Sequence, residues 1–212
     1  MDRMDIEVLN RPVTSHPVLN GSRVTRTREA IISAALSLAE TGDVAPIVRD
    51  IAKIAGVSAR TVFQHFADTA ELYMAVLERV LAADFGDMPG PGAALPLDGR
   101  IQLVVDRGAD RYERLLPMWT FVETLQRRSP PAADMIAQVY AANQANLARW
   151  FDRELAAFPA EQRVRALNAL ALALAPESWV VLRERLGLTV ERARDELRFV
   201  MVAALAAGAP RR

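Results

Sequence analysis

An all-helical protein of two parts is what this sequence predicts, and three observations carry the prediction. Apolar residues recur at three- and four-residue spacing through most of the chain, which is one face of a helix. No segment shows strand alternation over a useful length. Most glycines and prolines fall between the periodic segments, where they stop or start helices. Alanine, leucine and arginine dominate, and Lys53 is the only lysine; these are strong helix formers. The periodic segments number about nine.

The elements follow in order. Residues 1–22 lack period, and Pro12, Pro17 and Asn20-Gly21 suggest a mobile arm. From Thr25 a helix presents Ile31, Ala34, Ala35 and Leu38 on one face and stops at Gly42. A short helix from Pro46 to Ala55 turns Val48, Ile51, Ala52 and Ala55 inward and ends at Gly56. Ser58 is a natural N-cap for a third helix, which runs to about Phe66 with Val62 and Phe66 inward. Asp68 and Glu71 form a capping pattern that opens a fourth helix with Leu72, Val76 and Val80 buried. Residues 86–96 hold three prolines and three glycines and read as a connector.

Beyond the connector, Leu97 to Leu116 forms one helix, ending before Pro117, with a stripe of Ile101, Val104, Val105, Gly108, Tyr112 and Leu115. A short segment covers Met118 to Arg128. Ser129-Pro130, an N-cap followed by a first-turn proline, opens a long helix to about Phe158. Pro159 restarts another, which runs to Leu186 with a kink at Pro176 and stops at Gly187. Thr189 caps the last helix, about Val190 to Ala207.

Composition excludes several classes of function. The chain of 212 residues is 51% apolar and 25% charged, with 26 basic residues against 26 acidic. That is globular composition, and zero formal charge excludes a uniformly basic coat for nucleic acid while leaving room for a local patch. With no cysteine, disulfides, thiolate zinc sites and cysteine nucleophiles are excluded. His16 and His65 stand in unrelated contexts, so no metal centre and no cofactor are expected. No acid–base pair, phosphate loop or nucleophile with its base is recognisable, which argues against an enzyme. The first residues carry no apolar signal core. The longest apolar run, near Ala166 to Val181, is interrupted by Asn168, Pro176 and Glu177, too short and polar for a bilayer. No membrane association is expected, and a cytoplasmic location is.

The segment from Asp50 to Phe66, DIAKIAGVSARTVFQHF, carries the most information. Two short amphipathic helices joined by a glycine turn are the helix-turn-helix arrangement, whose second helix enters the major groove. Ala59, Arg60, Thr61, Gln64 and His65 would face outward. Arginine can bind guanine O6 and N7 in bidentate fashion, glutamine can pair with adenine, and threonine can touch a thymine methyl. Between residues 22 and 66 the basic Arg23, Arg26, Arg28, Arg49, Lys53 and Arg60 outnumber the acidic Glu29, Glu40, Asp43 and Asp50, a local excess of the kind phosphate contact uses.

From Arg28 to Val80 the chain closely resembles the DNA-binding domain of the tetracycline-repressor (TetR) family. The resemblance lies in Ile31-x-x-Ala34-Ala35, Gly42, Val48-Arg49-Asp50-Ile51-Ala52, Ala55-Gly56-Val57-Ser58, Thr61 to Phe66 and Glu71-Leu72. It implies an all-helical homodimer that binds a double-stranded DNA operator through residues 23–84. It also implies a C-terminal ligand-binding and dimerisation domain, residues 85–212, that senses a small-molecule effector. Carried over residue by residue, it gives Ser58 to His65 as the recognition helix, with Phe63 and His65 at phosphate-contact positions, Arg49 on the second helix and Arg26 at the first. Three departures are visible. The family often has tyrosine at the Phe63 position, lysine at Thr69 and a hydroxyl residue near Pro46, and each departure removes a possible phosphate contact. The function this implies is a transcriptional regulator, a repressor released from a palindromic operator by its ligand. The alternative is a helical dimeric ligand-binding or protein-interaction module without DNA binding.

Several residues of the second part have a polar or spatial feature to explain. Gly108 sits mid-helix on the buried stripe, either for a close helix crossing or as a cavity wall. On the long helix, Ile136, Val139, Tyr140, Asn143, Leu147, Trp150, Phe151 and Glu154 share one side. Asn143 needs a partner there, from a neighbouring helix or from a ligand. Tyr112, Met118, Trp119, Phe121, Glu123, Asn143 and Trp150 together have the composition of a small-molecule pocket or of a core. Ala166 to Leu174 and Phe199 to Ala207 are apolar around nearly their whole circumference. Helices of that kind need neighbours on all sides, and a second subunit supplies them most simply. Trp179, Leu182, Val200, Met201 and Ala204 are the candidate interface.

Overall fold

The computed structural model describes residues 18–84 and 95–206. The remainder of the expected arm, residues 1–17, and most of the expected connector lie outside the described residues. Every regular element among the described residues is a helix, with nine α-helices of seven residues or more and two short ones, as the periodicity predicts.

The N-terminal part is α1 (Val18–Glu40), α2 (Val48–Ala55), α3 (Ala59–His65) and α4 (Thr69–Asp84). Helix α1 starts earlier than expected, so Asn20 and Gly21 lie inside a helix and not in a turn. The first turn of a helix has no intrahelical partner for its N–H groups in any case, so poor helix formers are tolerated there. The expected stripes are buried: Ile31, Ala34 and Ala35 on α1, Ile51 and Ala52 on α2, Val62 and Phe66 around α3, and Leu72, Val76 and Val80 on α4. Asp68 caps α4 by accepting from the Glu71 N–H at 2.8 Å. Glu71 reaches back to accept from the Ala67 N–H at 2.6 Å.

The C-terminal part is α5 (Leu97–Leu115), α6 (Trp119–Arg128), α7 (Pro130–Trp150), α8 (Asp152–Ala156), α9 (Ala160–Ala173), α10 (Pro176–Val180) and α11 (Val190–Ala206). Pro117 sits in a 3-10 turn, Leu116–Met118, that joins α5 to α6. Ser129 and Thr189 cap α7 and α11 as expected, accepting from Ala132 and Arg192 N–H groups.

Two expected helices are divided. The helix from Pro130 breaks at Phe151, whose φ is −116° and ψ 22°. The break leaves the Trp150 carbonyl outside the helical ladder, where the buried Arg100 guanidinium donates to it and also to the Glu154 carboxylate. The helix expected to run through Pro176 ends at Ala173. Proline has no N–H and forces the preceding residue to extend, so Ala175 takes ψ 143° and Pro176 starts α10. A π-helical turn, Val181–Arg185, continues α10. No single helix among the described residues is long and apolar enough to cross a membrane; α9 with the α10 segment has the composition, but the two are bent by 51°.

Two apolar clusters hold these helices. One unites α1–α4 with Met118, Trp119, Phe121, Val122 and Leu125 of the α6 region and Ala132 and Ile136 of α7. The other joins α5, the end of α7, α8, α9 and α11 around Phe151, Leu170, Trp179 and Met201.

Candidate nucleic-acid interface

The turn between α2 and α3 is built by backbone geometry. Gly56 has φ 67°, a left-handed conformation that glycine adopts at no steric cost. Its N–H donates to the Lys53 carbonyl, and the Val57 N–H donates to the Ala52 carbonyl at 3.0 Å. These two bonds form the Schellman closure of a helix end. One extended residue later, Ser58 caps α3, accepting from the Thr61 N–H at 3.0 Å. The Ser58 and Thr61 hydroxyls are 2.9 Å apart.

Val62 and Phe66 anchor α3 to the core, and this fixes which side faces out. The Arg28 guanidinium lies 4.2 Å above the Phe66 ring and 3.8 Å from Glu71. Arg28, counted from sequence in the local basic excess, is therefore engaged within the fold. Ala59, Arg60, Phe63 and Gln64 are exposed, while Thr61 and His65 are half-buried. Phe63 is 51% exposed, high for an aromatic side chain without a partner surface. Arg49 on α2 is exposed beside Asp50, and Arg26 is exposed on α1. Lys53, in the last turn of α2, is exposed as well; a residue-by-residue resemblance passes over it because its position in the turn, not its motif, brings it outward. Ser58 differs from the other candidates, since its hydroxyl is used in the cap.

The residues expected to make a ligand pocket do not come together as one. Tyr112 and Asn143 line a small cavity of about 30 Å³ with Val104, Arg107, Gly108, Arg111, Leu147 and Leu174. Met118, Trp119 and Phe121 pack instead into the cluster shared with α1–α4. Glu123 is half-buried near Arg127, and Trp150 lies in the second cluster. Gly108 combines the two roles open to it: a Cβ there would stand 3.4 Å from Leu174 Cδ2, and the residue also forms the cavity wall.

The Tyr112 hydroxyl donates to the Leu174 carbonyl. Burial pushes it up to about 12; Arg111 opposes the rise and Glu177 adds to it. Tyr140 donates to the Glu177 carboxylate at 2.6 Å and is likewise raised, by burial first and Glu177 second. Asn143 also borders a cleft of about 300 Å³ between α4 and α7, lined by Glu78, Leu81, Met135, Gln138, Val139, Ala142 and Asn146.

The candidate interface residues divide by burial. Trp179 and Met201 have no exposed surface within the single chain, so their apolar character is spent on its own core. Leu182 and Ala204 are half-buried and Val200 is exposed. The outer faces of α9–α11 instead present Leu172, 70% exposed, and Phe199, 71% exposed, with Val181 and Val202. An apolar groove of about 520 Å³ runs between them, lined by Leu172, Val181, Leu182, Leu197 and Val200 among others.

Residues 31–76, from α1 to α4, match the family described as bacterial regulatory proteins, tetR family. No curated protein matches. Among solved structures, a tetR-family transcriptional regulator from Streptomyces coelicolor is 19% identical, covers 87% of this chain and 82% of its own, and superposes with a TM-score of 0.66. A TetR transcriptional regulator from Rhodococcus sp. RHA1 is 18% identical over 90% of this chain and 99% of its own, with a TM-score of 0.48. The first of these shares the fold through both parts of the chain. The family consists of regulators and not of enzymes. The family match lies on the helix-turn-helix that α2, Gly56 and α3 build, so residues 31–76 form a DNA-binding domain of the tetR family of bacterial regulatory proteins.

Proposed function

We propose that this regulator is a homodimeric repressor that reads a palindromic operator and is released from it by a small ligand. The observation that carries the reading is the α3 surface: Arg60 and Gln64, four residues apart and both exposed, share one outward face of a helix anchored by Val62 and Phe66. Arg60, Thr61 and Gln64 would read base edges, with Ala59 allowing close approach. His65, Arg49, Arg26 and the Phe63 ring would lie along the phosphates. Residues 23–84 would form the DNA-binding domain, and residues 85–212 the ligand-binding and dimerisation domain.

The exposed apolar faces of α9, α10 and α11 support the dimer, because a surface carrying Leu172 and Phe199 together is of the kind that marks an interaction site. Release would follow if the ligand binds more tightly to a dimer shape with the wrong spacing of α3 helices. Selection from a random duplex library with the purified protein, followed by binding to the selected duplex across a salt series, tests the reading. An inverted-repeat motif and a steep fall of affinity with salt are expected. Binding without sequence preference would remove the proposal.

A further inference from the structure

Helix α5 segregates its charges. Its three carboxylates in the stretch 106–113 all turn towards α10 and α11: Asp106 pairs with Arg198 at 2.8 Å, Asp110 with Arg194 at 2.5 Å, and Glu113 with Arg183 at 2.6 Å. Arg107 and Arg111 stand on the other side, where they line the cavity with Asn143. Among the described residues Arg107 has no carboxylate partner, although acids flank it in sequence. The nearby Glu177 carboxylate accepts from Tyr140. The Asn143 amide makes no hydrogen bond among the described residues. Inside, the cavity is apolar, walled by Val104, Leu147 and Leu174, and Gly108 keeps it open.

We propose that the cavity is an anion site, taking a short aliphatic monocarboxylate with its carboxylate between Arg107 and Arg111 and its tail against Val104, Leu147 and Leu174. The assignment rests on the reading of the C-terminal part as the effector-binding domain, and gives that effector its chemical class. Guanidinium groups bind carboxylates through paired, charge-assisted hydrogen bonds. The Asn143 amide supplies a further donor. Size limits the tail: a water needs roughly 10–15 Å³ of such space, so a cavity of about 30 Å³ has room for only a few carbon atoms. Arg107 is exposed, which places the charged end at the mouth.

Calorimetric titration of the full chain with sodium butyrate and with butyramide at fixed ionic strength tests the site. Butyrate should bind saturably and butyramide should not. Arg107→Gln should weaken butyrate by about tenfold or more, and Arg107→Lys should recover part of the loss. Arg107 is exposed, so both variants should fold. Equal binding of the amide, unchanged binding by Arg107→Gln, or no binding of butyrate at all would overturn the assignment. Adding the selected operator separates the two readings. If an uncharged molecule releases the operator while butyrate is silent, the effector reading stands and the anion site falls. If butyrate binds through Arg107 yet leaves the operator complex intact, the site stands and the effector reading falls.

Discussion

Tyr73 of α4 and Phe121 of α6 meet edge to face, ring centres 5.6 Å apart with planes at 90°. The Tyr73 hydroxyl donates to the Pro46 carbonyl at 2.6 Å, just ahead of α2. One side chain thus ties the start of the helix-turn-helix to the helix that carries Phe121. Removing only the hydroxyl, by Tyr73→Phe, should cost about 1 kcal/mol and leave the ring contact in place. Phe121→Ala should cost about 3–5 kcal/mol. Urea titrations of both variants check the two magnitudes. If α2 is positioned through this link, Tyr73→Phe should also lower operator affinity without changing the selected motif.

The outer faces of α9 and α11 give a second prediction. Leu172→Glu with Phe199→Glu changes two side chains that are mostly exposed in the single chain, so helix content should be kept while sedimentation shows a monomer. Trp179→Glu or Met201→Glu should instead unfold the chain, because burying a charge without a partner is severely destabilising. A double variant that remains a dimer would place the interface elsewhere.

The third prediction concerns alkali. The Tyr112 hydroxyl is held at about 12 against an ordinary value near 10, so the native state keeps its proton where the unfolded chain has lost one. Its contribution to stability is fully present below about pH 10 and is lost as pH rises towards 12. Tyr112→Phe should therefore lower stability at neutral pH by about 1 kcal/mol for the lost bond to Leu174 and flatten this alkaline decline. Urea midpoints across that window, for both proteins, give the comparison.

These contacts also show what sequence could and could not reveal. Within one helix the repeat states its own buried side, and Ile101, Val104, Val105, Tyr112 and Leu115 are buried as a set. Capping chemistry was equally local: Ser58, Asp68, Ser129 and Thr189 all cap. What faces a buried side is not local. Glu154 lies on the α7–α8 stripe because Arg100, 54 residues earlier, holds it there; burial alone would raise that carboxyl, yet the Arg100 bonds keep it low. Trp179 and Met201 read as interface because nothing in a sequence separates a side covered by the same chain from one covered by another. Pro176 read as a kink because continuing and starting a helix differ only in the backbone of Ala175.

Gly56 supplies a fourth prediction. Its φ of 67° is costly for any residue with a Cβ, but no atom lies within 4 Å of where that Cβ would sit. Gly56→Ala should therefore fold, with a loss of about 1–2 kcal/mol from backbone strain alone. Calorimetric melting of the variant tests the magnitude. A larger loss would mean that the α2–α3 turn had rearranged, and operator binding would then be lost with it.

The last prediction divides labour on α3. Arg60 and Gln64 share its outward face, whereas His65 is half-buried near its end and Phe63 lies half exposed between. A lost base contact should cost about 1–3 kcal/mol at the preferred site and flatten preference at one position. A lost phosphate contact should weaken all sequences alike and lower the salt slope by about 1. Arg60→Ala and Gln64→Ala should therefore relax the selected motif, while His65→Ala should keep it at reduced affinity. Phe63→Tyr runs the test in the opposite direction. It adds a hydroxyl to a ring that is already exposed, so the core is undisturbed. If Phe63 lies along the phosphates, the variant should bind every duplex more tightly by a similar factor, with the motif unchanged. Selection repeated for each variant measures all four outcomes. A shifted motif for Phe63→Tyr or His65→Ala, with Arg60→Ala and Gln64→Ala unaffected, would exchange the two roles on the helix.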